Sequence, residues 1–219
     1  MKKLILMFIF LIIFSLIICQ SNIYNEVDVY KNIEVNLCDI EEKGIRLEYT
    51  SKKSINEIIT IINNSLIVEN ICFGKEYIKN NESYIFQNLK EKKNLKLIIN
   101  KEKSGFRVII EIIDEEGIID INKVKNLLEK LADDTITDKR YFTYIKGKLK
   151  NDKGYENNIN ELFNTIGRTY IKNTETIPIN SGITGTINLK DEDKFNYSII
   201  SYTTDTYLII GSPVIFTTY

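Results

Sequence analysis

One amphipathic pattern occurs twice in this chain of 219 residues, and it restricts the fold more than any other feature. From Ser54 to Leu66, the residues Ile55, Ile58, Ile59, Ile62 and Leu66 form one stripe of a 3.6-residue repeat. Ser54 stands where an N-cap belongs, with Glu57 three residues on, which makes a capping box. From Ile159 to Tyr170 the stripe is Ile159, Leu162, Phe163, Ile166 and Tyr170, with Asn158 as the cap and Glu161 three residues on. The two match position for position at an offset of 104, through Ile55-Asn56-Glu57-Ile58 and Ile159-Asn160-Glu161-Leu162. A strand precedes each, Gly44 to Thr50 and Arg140 to Lys150. Two extended stretches and a hairpin follow each. The hairpins correspond at an offset of 101, which aligns Leu97-Ile98-Ile99 with Ser198-Ile199-Ile200 and Phe106 with Tyr207. A linking helix from Ile121 to Leu131, capped by Asp120, presents Val124, Leu127, Leu128 and Leu131 on one side.

The pattern predicts an α+β fold of tandem duplicated strand-helix-sheet units, 22–135 with the linking helix and 136–219. Their sheets would pair into one curved antiparallel sheet with the helices on one face. The abundance of Ile adds little to this. Ile, Asn, Lys and Tyr run high together while Ala occurs once, at Ala132, which is the skew of AT-rich codons. The spacing of the Ile residues carries the argument, not their number.

The first 21 residues read as an address. Met1-Lys2-Lys3 is followed by an apolar run from Leu4 to Ile18, interrupted by Ser15, in the layout of a secretory signal. Ser21 and Cys19 are small enough for cleavage before Asn22. The run would rise about 24 Å as a helix, against a hydrocarbon core of about 30 Å, so a retained membrane anchor at residues 4–18 is the alternative. Cys19 invites a lipid-anchor reading, although Ile18 is larger than the residue a lipobox places there. The protein is expected to be exported, either extracytoplasmic or membrane-anchored. Cys38 and Cys72 would remain, as a bridged pair or as two small buried hydrophobes.

Charge and composition narrow the function. With no His, the Ser-His-Asp and Cys-His arrangements and His-based zinc sites are absent from the chain. No P-loop, dinucleotide fingerprint or nucleophile elbow is present. Losing Lys2 and Lys3 with the leader takes 29 basic residues to 27 against 30 acidic ones, a net charge of −3, so nucleic acid is not an expected partner. The acidic clusters Asp114-Glu115-Glu116, Asp133-Asp134 and Asp191-Glu192-Asp193 lack the Gly and late Glu of a calcium loop and read as solvated turns. Ser104-Gly105 fits a hairpin tip. Pro213 suggests a sheet edge or a bulge.

The second half resembles the YwmB family, the TATA-box-binding-like exported proteins of low-GC Gram-positive bacteria. The carrying features are Lys146-Gly147-Lys148-Leu149 and the ending Ile209-Ile210-Gly211-Ser212-Pro213-Val214-Ile215, with Tyr219 last. The likeness covers about residues 140–219, while 30–135 agree only in element order. It implies a signal or anchor segment and a tandem fold similar to the TATA-binding saddle. It implies no catalytic residue, and a saddle does not by itself imply DNA binding.

The candidate ligand-binding residues come from the alternation of the strand 140–150. Phe142, Tyr144, Lys146, Lys148 and Lys150 share one face, and Tyr144 with the three Lys residues suits an anionic envelope polymer such as teichoic acid or phospholipid headgroups. The other reading is a solvated face whose lysines discourage edge pairing. No cofactor, metal or catalytic residue is expected. The sheet face opposite the helices should carry Tyr197, Ser201, Tyr202 and Tyr207. The expectation is therefore a non-catalytic binding or scaffold module at the cell envelope. An enzyme acting on envelope polymers, or a partner-dependent structural subunit of an envelope protein assembly, is the alternative.

Overall fold

The computed structural model describes residues 26–67, 76–79, 83–90, 92–131 and 136–217. Helix α1 (Glu26–Asn36) leads into β1 (Cys38–Ser51), then α2 (Ile55–Ile67) and the strands β2 (Glu76–Lys79), β3 (Ser83–Lys90), β4 (Lys93–Glu102) and β5 (Gly105–Asp114). Helix α3 (Ile121–Glu129) connects to β6 (Ile136–Leu149), then α4 (Tyr155–Ile166) and β7 (Ile171–Ile179), β8 (Gly182–Leu189), β9 (Lys194–Ser201) and β10 (Thr206–Ser212). The ten strands form one antiparallel sheet in the order β2-β3-β4-β5-β1-β6-β10-β9-β8-β7. The two longest strands, β1 and β6, meet at its centre with Ile45 opposite Thr143 and Leu47 opposite Tyr141.

Alternation along the inner strands sends one set of side chains to the helices. Ile45 and Leu47 on β1, Leu95, Leu97 and Ile99 on β4, Val108, Ile110 and Ile112 on β5, and Leu208 and Ile210 on β10 are buried there. The register puts Leu97 opposite Ile110 and Ile99 opposite Val108, so the rows line up across the sheet. Val29 and Ile33 of α1, Ile58, Ile62 and Leu66 of α2, Val124 and Leu128 of α3, and Leu162, Phe163 and Ile166 of α4 join the same core. Each such side chain contributes about 1.5–3 kcal/mol through burial. The helices thus cover one face of an α+β layering.

The caps foreseen for α2 and α3 are present. The Ser54 N–H donates to Glu57 Oε2 at 2.9 Å and the Glu57 N–H donates back to Ser54 Oγ at 3.4 Å. Asp120 accepts from the Lys123 N–H at 3.1 Å. Asp114 differs from its expected solvated turn. It is fully buried, and its carboxylate accepts the backbone N–H groups of Ile118 at 2.7 Å, Ile119 at 2.8 Å and Glu116 at 3.3 Å. Asp114→Ala should strand those donors and cost about 2–3 kcal/mol, read as a lower urea midpoint at unchanged m-value.

Four other sequence expectations need correction. Helix α4 starts at Tyr155 behind Gly154, so Asn158 is not its cap but a buried residue inside it. A shift of one helical turn leaves the stripe in phase, and periodicity alone does not locate the start. Tyr170 lies past the helix end and is exposed. The hairpin offset of 101 pairs residues on opposite faces: Phe106 packs against the helix-side core, whereas Tyr207 alternates with buried Leu208 and points away. A slip of one residue flips every side chain. Pro213 follows the last residue of β10, an interior strand, and is at neither an edge nor a bulge.

Asn158 anchors the loop ahead of α4 by donating to Asp152 Oδ1 at 2.8 Å. Asp152 also accepts from the Thr206 hydroxyl at 2.6 Å and the Gly154 N–H at 3.0 Å. Those bonds, Thr206 foremost, hold its carboxyl below the ordinary value of 3.8. A depressed folded pKa gives stability that is complete above the unfolded value and is lost as pH falls through the folded one. Asp152→Asn should therefore lower the melting temperature at pH 7 and flatten its decline below about pH 4. A wild-type slope in the variant would count against these bonds.

Helix α1 was not anticipated. Val29, Tyr30 and Ile33 are its buried stripe, continued by Leu37 just past its end, and the Tyr30 hydroxyl reaches the Thr143 carbonyl at 3.1 Å and its Oγ1 at 2.9 Å. Cys38 is a buried free thiol, and burial pushes its pKa up to about 12. The expected signal or anchor over 1–21, Cys19 and Cys72 lie outside the described residues. Among those described, no helix is long and apolar enough to cross a membrane.

Candidate functional site

The face away from the helices is built from the other half of each alternation. Gly44, Arg46 and Glu48 on β1 lie beside Arg140, Phe142 and Tyr144 on β6, with Arg107, Ile109 and Glu111 on β5 and Tyr207, Ile209 and Gly211 on β10. Two clusters stand out on it.

The first surrounds Glu48, only 6% exposed. Its Oε2 accepts from Arg107 Nη2 at 2.7 Å and lies 3.6 Å from Arg140 Nη2. Its Oε1 is 3.1 Å from Arg46 Nε, an ion pair in which the N–H is not aimed at the oxygen. Arg46 reaches Glu111 at 3.1 Å through Nη2. The hydrogen bond to Glu48 raises the Arg107 pKa further. Three guanidinium groups thus meet two carboxylates, and Arg140 keeps 61% of its side chain in solvent.

The second cluster surrounds Tyr144, which has no exposed surface. Its ring lies across Gly44, where a Cβ would come within 2.1 Å of the ring edge. Its hydroxyl donates to Glu42 Oε1 at 2.5 Å. Beyond Ser212 the chain folds back over this point. Phe216 stands edge-on to Tyr144, with ring centroids 4.9 Å apart, and the Arg46 guanidinium lies 5.7 Å from the Phe216 centroid. Ile215 sits against Gly211, where a Cβ would be 3.1 Å from its Cγ1.

The four expected ligand residues are not all brought together. Lys146 lies 5.4 Å over the Tyr207 ring. Lys148 makes an ion pair with Asp205 at 2.5 Å, which raises the Lys148 pKa and lowers that of Asp205. These two share the neighbourhood of Tyr207. Tyr144 is instead sealed beneath Phe216. Lys150 follows the end of β6 and turns to the helix layer, donating to the Glu34 and Val35 carbonyls at 2.9 Å each. It neutralises the C-terminal end of α1 rather than facing a ligand.

Of the four residues expected on the open face, Tyr207 lies there, and Tyr202 packs edge-on to it at 5.5 Å from an exposed turn. Tyr197 does not. It is buried on the helix side, edge-on to Phe163 at 6.0 Å, and its hydroxyl pairs with Thr176 at 2.6 Å. Ser201 is also on the helix side, bonded to the Tyr155 hydroxyl at 2.9 Å. The parity of β9 places Tyr197 with buried Phe195 and Ile199.

Sequence reasoning missed the arginines. A faint signal existed: the chain has 25 Lys and only four Arg, at positions 46, 107, 140 and 168. Three of the four converge on Glu48, where a planar fork of donors is needed and an ammonium will not substitute. Among the described residues, no three His, Cys, Asp or Glu side chains are grouped so as to hold a metal ion.

No family model matches the chain, and no curated protein matches it. Among solved structures it is similar to DynU16, a protein of the dynemicin biosynthetic locus, at 8% identity and a TM-score of 0.26, over 77% of this chain and 86% of that one.

Proposed function

We propose that this protein is a non-catalytic binding or scaffold module of the cell envelope, exported or held to the membrane by residues 4–18, and that it works through the sheet face opposite the helices. The observation that carries the reading is the asymmetry of the sheet. One face is covered by four helices over most of its strands, with the edge strand β7 left exposed along nearly its whole length. The other bears Arg107, Arg140, Lys146, Lys148, Tyr202 and Tyr207, and among the described residues only the segment 213–217 lies over it. An anionic polymer suits this set of cations and aromatic rings, and the exposed guanidinium groups of Arg107 and Arg140 offer paired donors to phosphate or carboxylate.

The same order of elements, β1-α2-β2-β3-β4-β5 and β6-α4-β7-β8-β9-β10, supports a duplicated unit, and the saddle-like curvature is proposed from the resemblance to the YwmB family. The open face carries Glu42, Glu48 and Glu111 among its cations, a poor lining for DNA. The test is a pull-down with the full chain from detergent-solubilised envelope. Teichoic acid or peptidoglycan in the eluate, lost in Arg107→Ala/Arg140→Ala, supports polymer binding. A single co-purifying protein supports the structural-subunit alternative. Recovery of neither removes the envelope-binding reading.

A further inference from the structure

The segment after β10 is held in an unusual way. Among the described residues, no backbone hydrogen bond fixes positions 213–217. Among the described residues two of its side chains hold it: Phe216 on Tyr144 and Arg46, and Ile215 on the bare backbone of Gly211. What lies beneath is, by contrast, rigidly built. Tyr144 is clamped across Gly44 and tied to Glu42, and Arg46 is fixed by Glu48 and Glu111. A preformed seat with an aromatic wall, a guanidinium and a glycine floor accepts one aromatic ring and a neighbouring β-branched side chain. An occupant attached by two side chains and no backbone ladder is cheap to exchange.

We infer that residues 213–217 are a self-ligand: they occupy a peptide-docking site on the open sheet face, and the partner is an extended protein segment that carries an aromatic residue after a β-branched one. The chain's own Ile215-Phe216, seated there, is the argument for that chemistry. The inference goes beyond the polymer reading and does not depend on it: it gives the same face a protein partner and an autoinhibitory contact. While tethered, the segment competes at a high effective concentration, so an incoming peptide sees only the fraction of molecules with an open seat.

The chain has no Trp, so Phe216→Trp in the full chain provides a single reporter. Its emission should be that of a packed indole and should shift to that of a solvated one when a peptide with the sequence of residues 213–219 is added in excess. Phe216→Ala in the full chain vacates the seat. The labelled peptide should then bind at least about tenfold tighter than to wild type by fluorescence anisotropy, and a peptide with Ala for its Phe should not bind. Solvated emission at the start, or equal binding to Phe216→Ala and wild type, would overturn the inference. So would loss of the helical signal in Phe216→Ala, which would make the segment part of the fold rather than an exchangeable occupant. A failed envelope pull-down alongside successful peptide binding would remove the polymer reading and leave this one standing.

Discussion

Glu48→Ala should cost the fold about 3–5 kcal/mol, because it removes the carboxylate that three arginines share. What remains is Arg46, Arg107 and Arg140 side by side, with Glu111 answering Arg46 alone. Arg46 keeps only 22% of its side chain in solvent, with the Phe216 ring 5.7 Å from its guanidinium. Against a total stability of about 5–15 kcal/mol, that loss brings the unfolded state within reach at ordinary temperatures. The urea midpoint gives the measurement. Glu48→Gln keeps the shape without the charge and should fall between wild type and Glu48→Ala. Added salt should return part of the deficit, since Arg107 and Arg140 are exposed enough for their mutual repulsion to be screened. A loss below about 1 kcal/mol would class the cluster with ordinary surface pairs.

Gly44→Ala is the second large effect. A methyl group there would lie 2.1 Å from the Tyr144 ring. The ring can move only by displacing Phe216, which stands against it, and by giving up the bond from its hydroxyl to Glu42. Expelling it forfeits the burial of a large aromatic side chain, about 3–5 kcal/mol by comparison with aromatic truncations in cores. The diagnostic is non-additivity. In a Tyr144→Ala background the same change at Gly44 has nothing to strike, so the double variant should be more stable than the two single losses predict. Strict additivity would show that the glycine serves the backbone and not the ring. Because Phe216 leans on Tyr144, Gly44→Ala should also release the reporter indole at position 216 without any peptide.

How much of this was legible beforehand depends on the range of the determining interaction. Helices α2 and α3, their caps at Ser54 and Asp120, and the hairpin tip at Ser104 rest on contacts within a few residues, and the sequence patterns locate them. The order of elements on either side of α3 could also be read. What could not be read was set by register. Alternation in 140–150 assigns Tyr144 and the lysines to one face, but whether that face is open depends on strands from elsewhere and on the fold-back of 213–217. Asn158 looks like a cap because its helix begins one turn earlier than the stripe can distinguish. The arginine cluster draws on β1, β5 and β6, whose residues become neighbours only through pairing.

The central seam also has a temporal side. β1 pairs with β5 on one edge and with β6 on the other, Cys38 lying opposite Leu149. Until residue 149 has been delivered, the first half holds a fourteen-residue strand with one edge bare. Helix α1 waits equally long, since it leans on Thr143 through Tyr30 and takes its terminal cation from Lys150. A long unpaired edge of alternating apolar residues is a template for wrong partners. A chain synthesised from its N-terminal end is therefore most vulnerable in the interval between its two halves, although the finished sheet carries no trace of it.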